Sequence, residues 1–123
     1  MINLNMLQKK VHQITISLGY KHDKKNTIAA LKRELKEFKK SKEQLDKNTS
    51  FKISNVENDS NFKEFYEHLI KGTNEDEIPD IIIVLMSHCQ ENGIDLETIL
   101  KNKIRYNRLR GKKQHPRKSI FNI

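Results

Sequence analysis

A single cysteine, four scattered glycines and no long apolar run remove several classes of protein at once. One cysteine cannot form an internal disulfide, and Cys89 stands in neither a CxxC nor a His-Cys zinc spacing; inside an apolar run it reads as a core thiol. It also lacks the electropositive setting that a nucleophilic thiolate requires. Four dispersed glycines exclude a P-loop or any other glycine-rich phosphate cradle, and there is no GxSxG nucleophile turn. If phosphate is bound, a metal and side chains must do the work. No stretch approaches 18 apolar residues, and Met1–Asn5 lacks a basic segment leading into an apolar one, so a soluble cytoplasmic protein is expected, with no membrane partner.

Apolar residues are also in short supply. They make up 35% of the chain, and a few per cent more with glycine, against roughly 45–50% in ordinary globular chains. The 123 residues suffice for one domain with a modest core of four to five helices. A thin core is relieved when a symmetric partner covers further helix faces, so a homodimer or homotetramer is expected. Acid is absent from residues 101–123, which carry nine of the 24 Lys and Arg; the rest of the chain is close to neutral and the net charge is +8. Such a basic end suits an anionic ligand. The expected division is a helical domain over 1–110 and a basic tail over 111–123.

Hydrophobic spacing then gives the elements. Leu4, Leu7, Val11, Ile14 and Leu18 alternate by three and four, which predicts an amphipathic helix ended by Gly19. Asn26 or Thr27 can cap a second helix that turns Ile28, Leu31, Leu35 and Phe38 inward. Residues 46–61 are polar apart from Phe51, Ile53 and Val56 and read as a long loop. Phe62, Phe65, Tyr66, Leu69 and Ile70 predict a short helix closed near Gly72. From Thr73 to Gln90 the chain is apolar nearly all round; its length and its flanks favour a buried central helix over a strand. Asp95 caps a last helix with Leu96, Ile99, Leu100 and Ile104 inward, ended by Gly111. An all-α bundle follows.

Two acidic words lie on these helices: Glu34-Leu35-Lys36-Glu37 and Glu77-Ile78-Pro79-Asp80. Each places two carboxylates i, i+3 on one helix face, about 4.5 Å apart along the axis. If the words face each other, each close pair repels by roughly 4 kcal/mol at an effective dielectric of about 20. Protonation or a hard cation resolves such a conflict, and Mg²⁺ is the usual companion of a phosphate substrate. Taken singly, either word is more often a solvated face, and acids at a helix start also answer the helix dipole. Asp80, however, is followed at once by six apolar residues, and a carboxylate buried that early needs a partner. Pro79 is tolerated only near a helix start. On the last helix Lys103, Asn107 and Arg110 share a side, offering an ammonium, an amide and a guanidinium to a polyphosphate; Tyr106 can stack on a base or simply pack. His88 on the buried helix reads as a satisfied core histidine before a ligand, and His12, His22, His68 and His115 form no usable arrangement.

Read together, Glu34-Leu35-Lys36-Glu37, the run Lys71–Asp80, Gly93–Glu97 and Lys103-Ile104-Arg105-Tyr106-Asn107-Arg108-Leu109-Arg110 resemble the MazG-like all-α nucleoside triphosphate pyrophosphohydrolases. The likeness covers roughly residues 1–110 and is weakest over 46–61. It implies a MazG-like bundle in which Glu34, Glu37, Glu77 and Asp80 hold Mg²⁺, with Mn²⁺ able to take its place. Lys103 and Asn107 would contact substrate, joined by Arg110 and Tyr106, and Glu37 would serve as the base. The implied reaction cleaves a (deoxy)nucleoside triphosphate to the monophosphate and pyrophosphate. The sequence departs from the pattern at Arg33, where relatives often repeat a glutamate, at Pro79, and at Ser87-His88, where an acid is common. Two alternatives stand beside the enzyme: a non-catalytic helical module binding nucleic acid through its basic end, and a degenerate homologue that keeps the fold without turnover.

Overall fold

The computed structural model describes residues 3–111 and is helical, with six helices and no strand among them: α1 Leu4–Ser17, α2 Lys24–Lys40, α3 Thr49–Ser54, α4 Asp59–Leu69, α5 Asn74–Glu91 and α6 Leu96–Arg110. The expectation of four to five helices falls short because the supposed loop over 46–61 folds: α3 lies within it and α4 begins in it. Ile53 alone is buried there, and Asn58 caps α4 by accepting from Asn61 N–H. Six residues with one buried anchor leave almost no periodic signal. Apart from Gly111, the basic tail lies outside the described residues.

Helix ends follow local chemistry. Asn3, Asp23 and Asp95 each accept a hydrogen bond from the backbone N–H three residues on, closing one of the four orphan donors of a helix start. Asp23 therefore starts α2 earlier than Asn26 or Thr27 would. Gly19 and Gly111 follow the last turns of α1 and α6 with φ of 84° and 70°, a left-handed conformation that L side chains avoid.

The centre of the fold is α5, which packs against both α1 and α2, while α6 rests on α1 and α3 pairs with α4. The α2–α5 register can be read from side chain to side chain. His22 N–H reaches Glu91, Thr27 meets His88, and Ser41 meets Asn74. Beyond α2, Lys42 N–H donates to Gly72 O and Asn74 N–H to Lys42 O, an isolated bridge that ties the end of α2 to the start of α5. The two helices are therefore antiparallel. Seven residues back from Ser41 and six on from Asn74 are each about 10 Å along the axis, so Glu34 and Asp80 come level.

Much of the buried interior is polar. Ser87 is fully buried, its Oγ 2.7 Å from Thr15 Oγ1 and 3.0 Å from His12 Nδ1. His88 Nδ1 donates to the carbonyl of His22 at 2.7 Å, which fixes its proton on that nitrogen. Gln8, 4% exposed, donates to Gln90 Oε1 and Ile94 O and accepts from Leu96 N–H at 3.1 Å. One amide thus holds the entry to α6. Gln8→Leu leaves that carbonyl and that N–H unpaired and is expected to cost about 1–3 kcal/mol in a urea titration, with loss of amide-exchange protection concentrated at the start of α6.

The apolar stripes read as inward are largely uncovered. Buried hydrophobic residues are Ala30, Ile53, Ile70, Val84, Met86 and Cys89, whereas Leu7, Ile14, Leu18, Ile28, Leu35 and Phe38 are exposed, as are Ile99, Leu100 and Ile104. On α2 the buried positions are Thr27 and Ala30, small residues that let α5 approach closely. The periodicity located the helices correctly; the side that packs within the chain lies beside the apolar stripe. Among the described residues no helix is long and apolar enough to cross a membrane.

Candidate metal centre

Five acidic residues crowd the start of α5 and its approach to α2, and their partners divide them. Glu75 accepts from Ser50 Oγ. Asp76 accepts from Tyr66 Oη at 2.6 Å and from Gly72 N–H at 3.0 Å; burial and this bond push the Tyr66 phenol above its usual range. Both carboxylates are thus occupied in holding α3, α4 and the Gly72 turn against α5. Glu77 and Asp80 have no such duty. They face Glu34 across the α2–α5 contact, and one oxygen from each of the three lies within 4.8 Å of the others.

All three are half-buried. Among the described residues the ion pairs are Lys52–Asp46 and Lys101–Glu97, and neither touches this cluster. The uncompensated charge shows in the acidities. Burial, then Glu34 and Asp76, push Asp80 up to about 6, and burial with the charges of Asp76, Asp80, Glu34 and Glu37 pushes Glu77 upward as well. Three converging carboxylate oxygens, with Glu77 and Asp80 raised in proton affinity and no ion-pair partner among the described residues, form a donor set suited to a hard divalent cation. Glu37 lies one turn beyond Glu34 and is exposed; its charge reaches Glu77, although its oxygens are outside the three-residue cluster. Pro79 lies inside α5, and Glu77 and Asp80 on either side of it both belong to the cluster.

Glu34 and Asp80 also line a cavity of about 670 Å³, whose other walls include Tyr20, Lys21, His22, Asn26 and Arg33. Its size is that of a small-molecule site. The segment joining α1 to α2 thus forms a wall of the space next to the carboxylates, and no residue of 46–61 does. Lys21, His22 and Asn26 carried no usable signal in the sequence, because their relation to the acids depends on a helix pairing some 60 residues away. Arg33, the departure from the resemblance, brings a guanidinium to the same wall.

The basic set on α6 is placed elsewhere. Lys103, Tyr106, Asn107 and Arg110 are all exposed, and none lines the cavity. Lys103 Nζ sits 5.2 Å and Arg110 Cζ 5.8 Å from the centre of the Tyr106 ring, a cation–π cluster on the helix surface. The structure therefore brings Glu34, Glu77 and Asp80 together, keeps Glu37 at their edge, and leaves the α6 residues apart from them.

The chain matches no protein-family model, and comparisons with curated proteins and with solved structures found no relative.

Proposed function

We propose that this protein is a Mg²⁺-dependent nucleoside triphosphate pyrophosphohydrolase of the MazG-like kind that its motifs resemble. The observation that carries the reading is the meeting of Glu34, Glu77 and Asp80 beside a cavity of nucleotide size. Those three carboxylates would hold the cation, with Glu37 as the fourth ligand. A bound Mg²⁺ supplies polarisation of phosphoryl oxygens and a more acidic water.

The chain's own residues account for the rest. Glu37, exposed at the edge of the cluster, orients the attacking water and takes its proton. The water oxygen bonds to the α-phosphorus as the α–β phosphoanhydride bond breaks, leaving a monophosphate and pyrophosphate. Lys21 and Arg33 on the cavity wall balance charge on the phosphates. In this reading the protein works as a homo-oligomer. Lys103 and Asn107, with Arg110 and Tyr106, meet substrate across an interface between copies, since α6 contributes nothing to the cavity within one chain.

The test is pyrophosphate release from canonical and modified dNTPs and NTPs, with Mg²⁺, with Mn²⁺ and with EDTA. Release that needs the metal supports the reading. No release by folded protein from any nucleotide removes it for those substrates and leaves nucleic-acid binding through α6, where Lys101, Lys103, Arg105 and Arg108 are exposed. That alternative requires affinity to fall with salt by about one log-log unit per phosphate neutralised.

A further inference from the structure

His22 is buried, 6% exposed, in the wall of the cavity that Glu34 and Asp80 also line. Its backbone is fully used. The N–H donates to Glu91 Oε1 at 2.9 Å, and the carbonyl accepts from Thr27 Oγ1 at 3.0 Å and His88 Nδ1 at 2.7 Å. Its ring is not used at all. Among the described residues Nδ1 and Nε2 of His22 are the buried side-chain polar atoms without a hydrogen-bond partner. The other buried polar side chains, Gln8, Thr15, Thr27 and Ser87, are all partnered. A buried polar atom left unpaired costs free energy and calls for an explanation. Here the structural role of the residue is discharged by its backbone, and the imidazole is left in the cavity wall with nothing among the described residues to bond.

We propose that His22 is a specificity-determining residue: its imidazole takes its missing hydrogen bond from the heterocyclic base of a nucleotide whose phosphates lie at Glu34 and Asp80. This rests on the pyrophosphohydrolase reading and adds to it the residue that distinguishes one base from another. A cavity of about 670 Å³ spans both ends of such a ligand. The ring nitrogens are closed to solvent, so the proposed contact requires the imidazole to turn about its Cβ–Cγ bond as the base arrives. Burial holds the ring below its usual pKa, with His12 and His88 acting in the same direction and Glu91 against them. A neutral ring presents one donor and one acceptor. Asn26 on the same wall adds an amide that can pair a donor and an acceptor with a base edge, and Tyr20, 57% exposed, offers a face for stacking. A site built from buried hydrogen-bonding groups rejects a base that leaves them unpaired more sharply than an apolar pocket does.

The experiment uses the full chain with Mg²⁺ and two kinds of probe: the α,β-methylene analogues of the four dNTPs, and inorganic tripolyphosphate. Histidine ring ¹⁵N shifts are recorded for the unmodified protein, and affinities are measured by calorimetry for wild type, His22→Phe and His22→Gln. The tightest analogue is expected to move a His22 ring nitrogen while tripolyphosphate does not. His22→Phe should weaken that analogue roughly tenfold and flatten the preference among bases, His22→Gln should recover part of both, and tripolyphosphate should bind alike throughout. Analogues that bind without moving either ring nitrogen, or that bind His22→Phe as they bind wild type, overturn the proposal and leave the pyrophosphohydrolase reading intact. If neither probe binds, and no nucleotide is hydrolysed, both fall. The ring shifts come from unsubstituted protein, so the decision stands even where a variant does not fold.

Discussion

Asp80→Asn is expected to lower metal-dependent pyrophosphate release by roughly 10²–10³-fold or more, and in the absence of metal to make the protein more stable. The two effects have one origin. Asp80 faces Glu34 and Glu77 with no basic partner among the described residues, and its carboxyl is pushed up to about 6 from an ordinary 3.8. The folded state therefore holds this proton more tightly than the unfolded chain. The stability it contributes is complete below about pH 4 and is lost as pH rises to about 6. Above that, the metal-free fold carries an ionised carboxylate among others. Asparagine retains the shape, removes the charge and does not titrate.

Thermal unfolding from pH 4 to pH 8, with Mg²⁺ and with EDTA, checks the reasoning in full. Wild type in EDTA should lose stability between pH 4 and 6, and Mg²⁺ should restore it at pH 7, because a cation that binds only the folded state stabilises it by mass action. Asp80→Asn should show a shallower pH slope in EDTA, a higher midpoint at pH 7 and little response to Mg²⁺. A variant that is instead less stable than wild type at pH 7 in EDTA would mean that Asp80 has a structural partner, as Asp76 has in Tyr66 and Gly72, and the metal centre would have to be abandoned.

The distinction between Asp76 and Asp80 marks the limit of what the sequence discloses. Spacing put Glu34 with Glu37 and Glu77 with Asp80 on single helix faces and left open whether the two pairs meet; Glu34, Glu77 and Asp80 converge, and Glu37 stays outside the cluster. Which acids at the head of α5 are free depends on Tyr66, Ser50 and the Gly72 turn, contacts set by how α3 and α4 fold back. Spacing along one helix contains none of that. Caps and stops were local and legible: Asp95 starts α6, and Gly19 and Gly111 close α1 and α6, for reasons confined to a few residues. Asp23 was missed as the start of α2, since Asn26 and Thr27 nearby are also good caps. The interior was the least legible part. His88 was legible as a satisfied core histidine, but Gln8, Ser87 and Thr27 show their burial only when they meet partners 61 to 88 positions away, and the cavity wall at His22 and Asn26 arises from the same pairing.

The exposed stripes give the other large expected effect. α6 carries Ile99, Leu100, Ile104 and Leu109 with 46–69% of their surface open, and α1 with its C-cap adds Ile14 and Leu18 at 56% and 66%. Single exposed leucines are ordinary, but apolar rows along two contacting helices, next to six buried hydrophobic residues among the described ones, are the kind of surface that a second copy would cover under the proposed homo-oligomer. Under the homo-oligomeric reading, scattering at micromolar concentration should return a multiple of 14.6 kDa, and Ile104→Asp should return 14.6 kDa itself. A carboxylate desolvated at an apolar contact costs about 3 kcal/mol or more. In a two-fold interface the residue occurs twice, so the change in Kd is roughly four decades, enough to carry a nanomolar dimer past micromolar concentrations. Lys101→Glu, one turn away on the same exposed helix and already paired with Glu97, changes charge without touching the stripe and should leave the mass of the wild-type assembly unaltered. If wild type is itself monomeric, the α6 residues have no second chain to reach, and Lys103 and Asn107 lose their proposed place at the substrate while the carboxylate centre on α2 and α5 keeps its own.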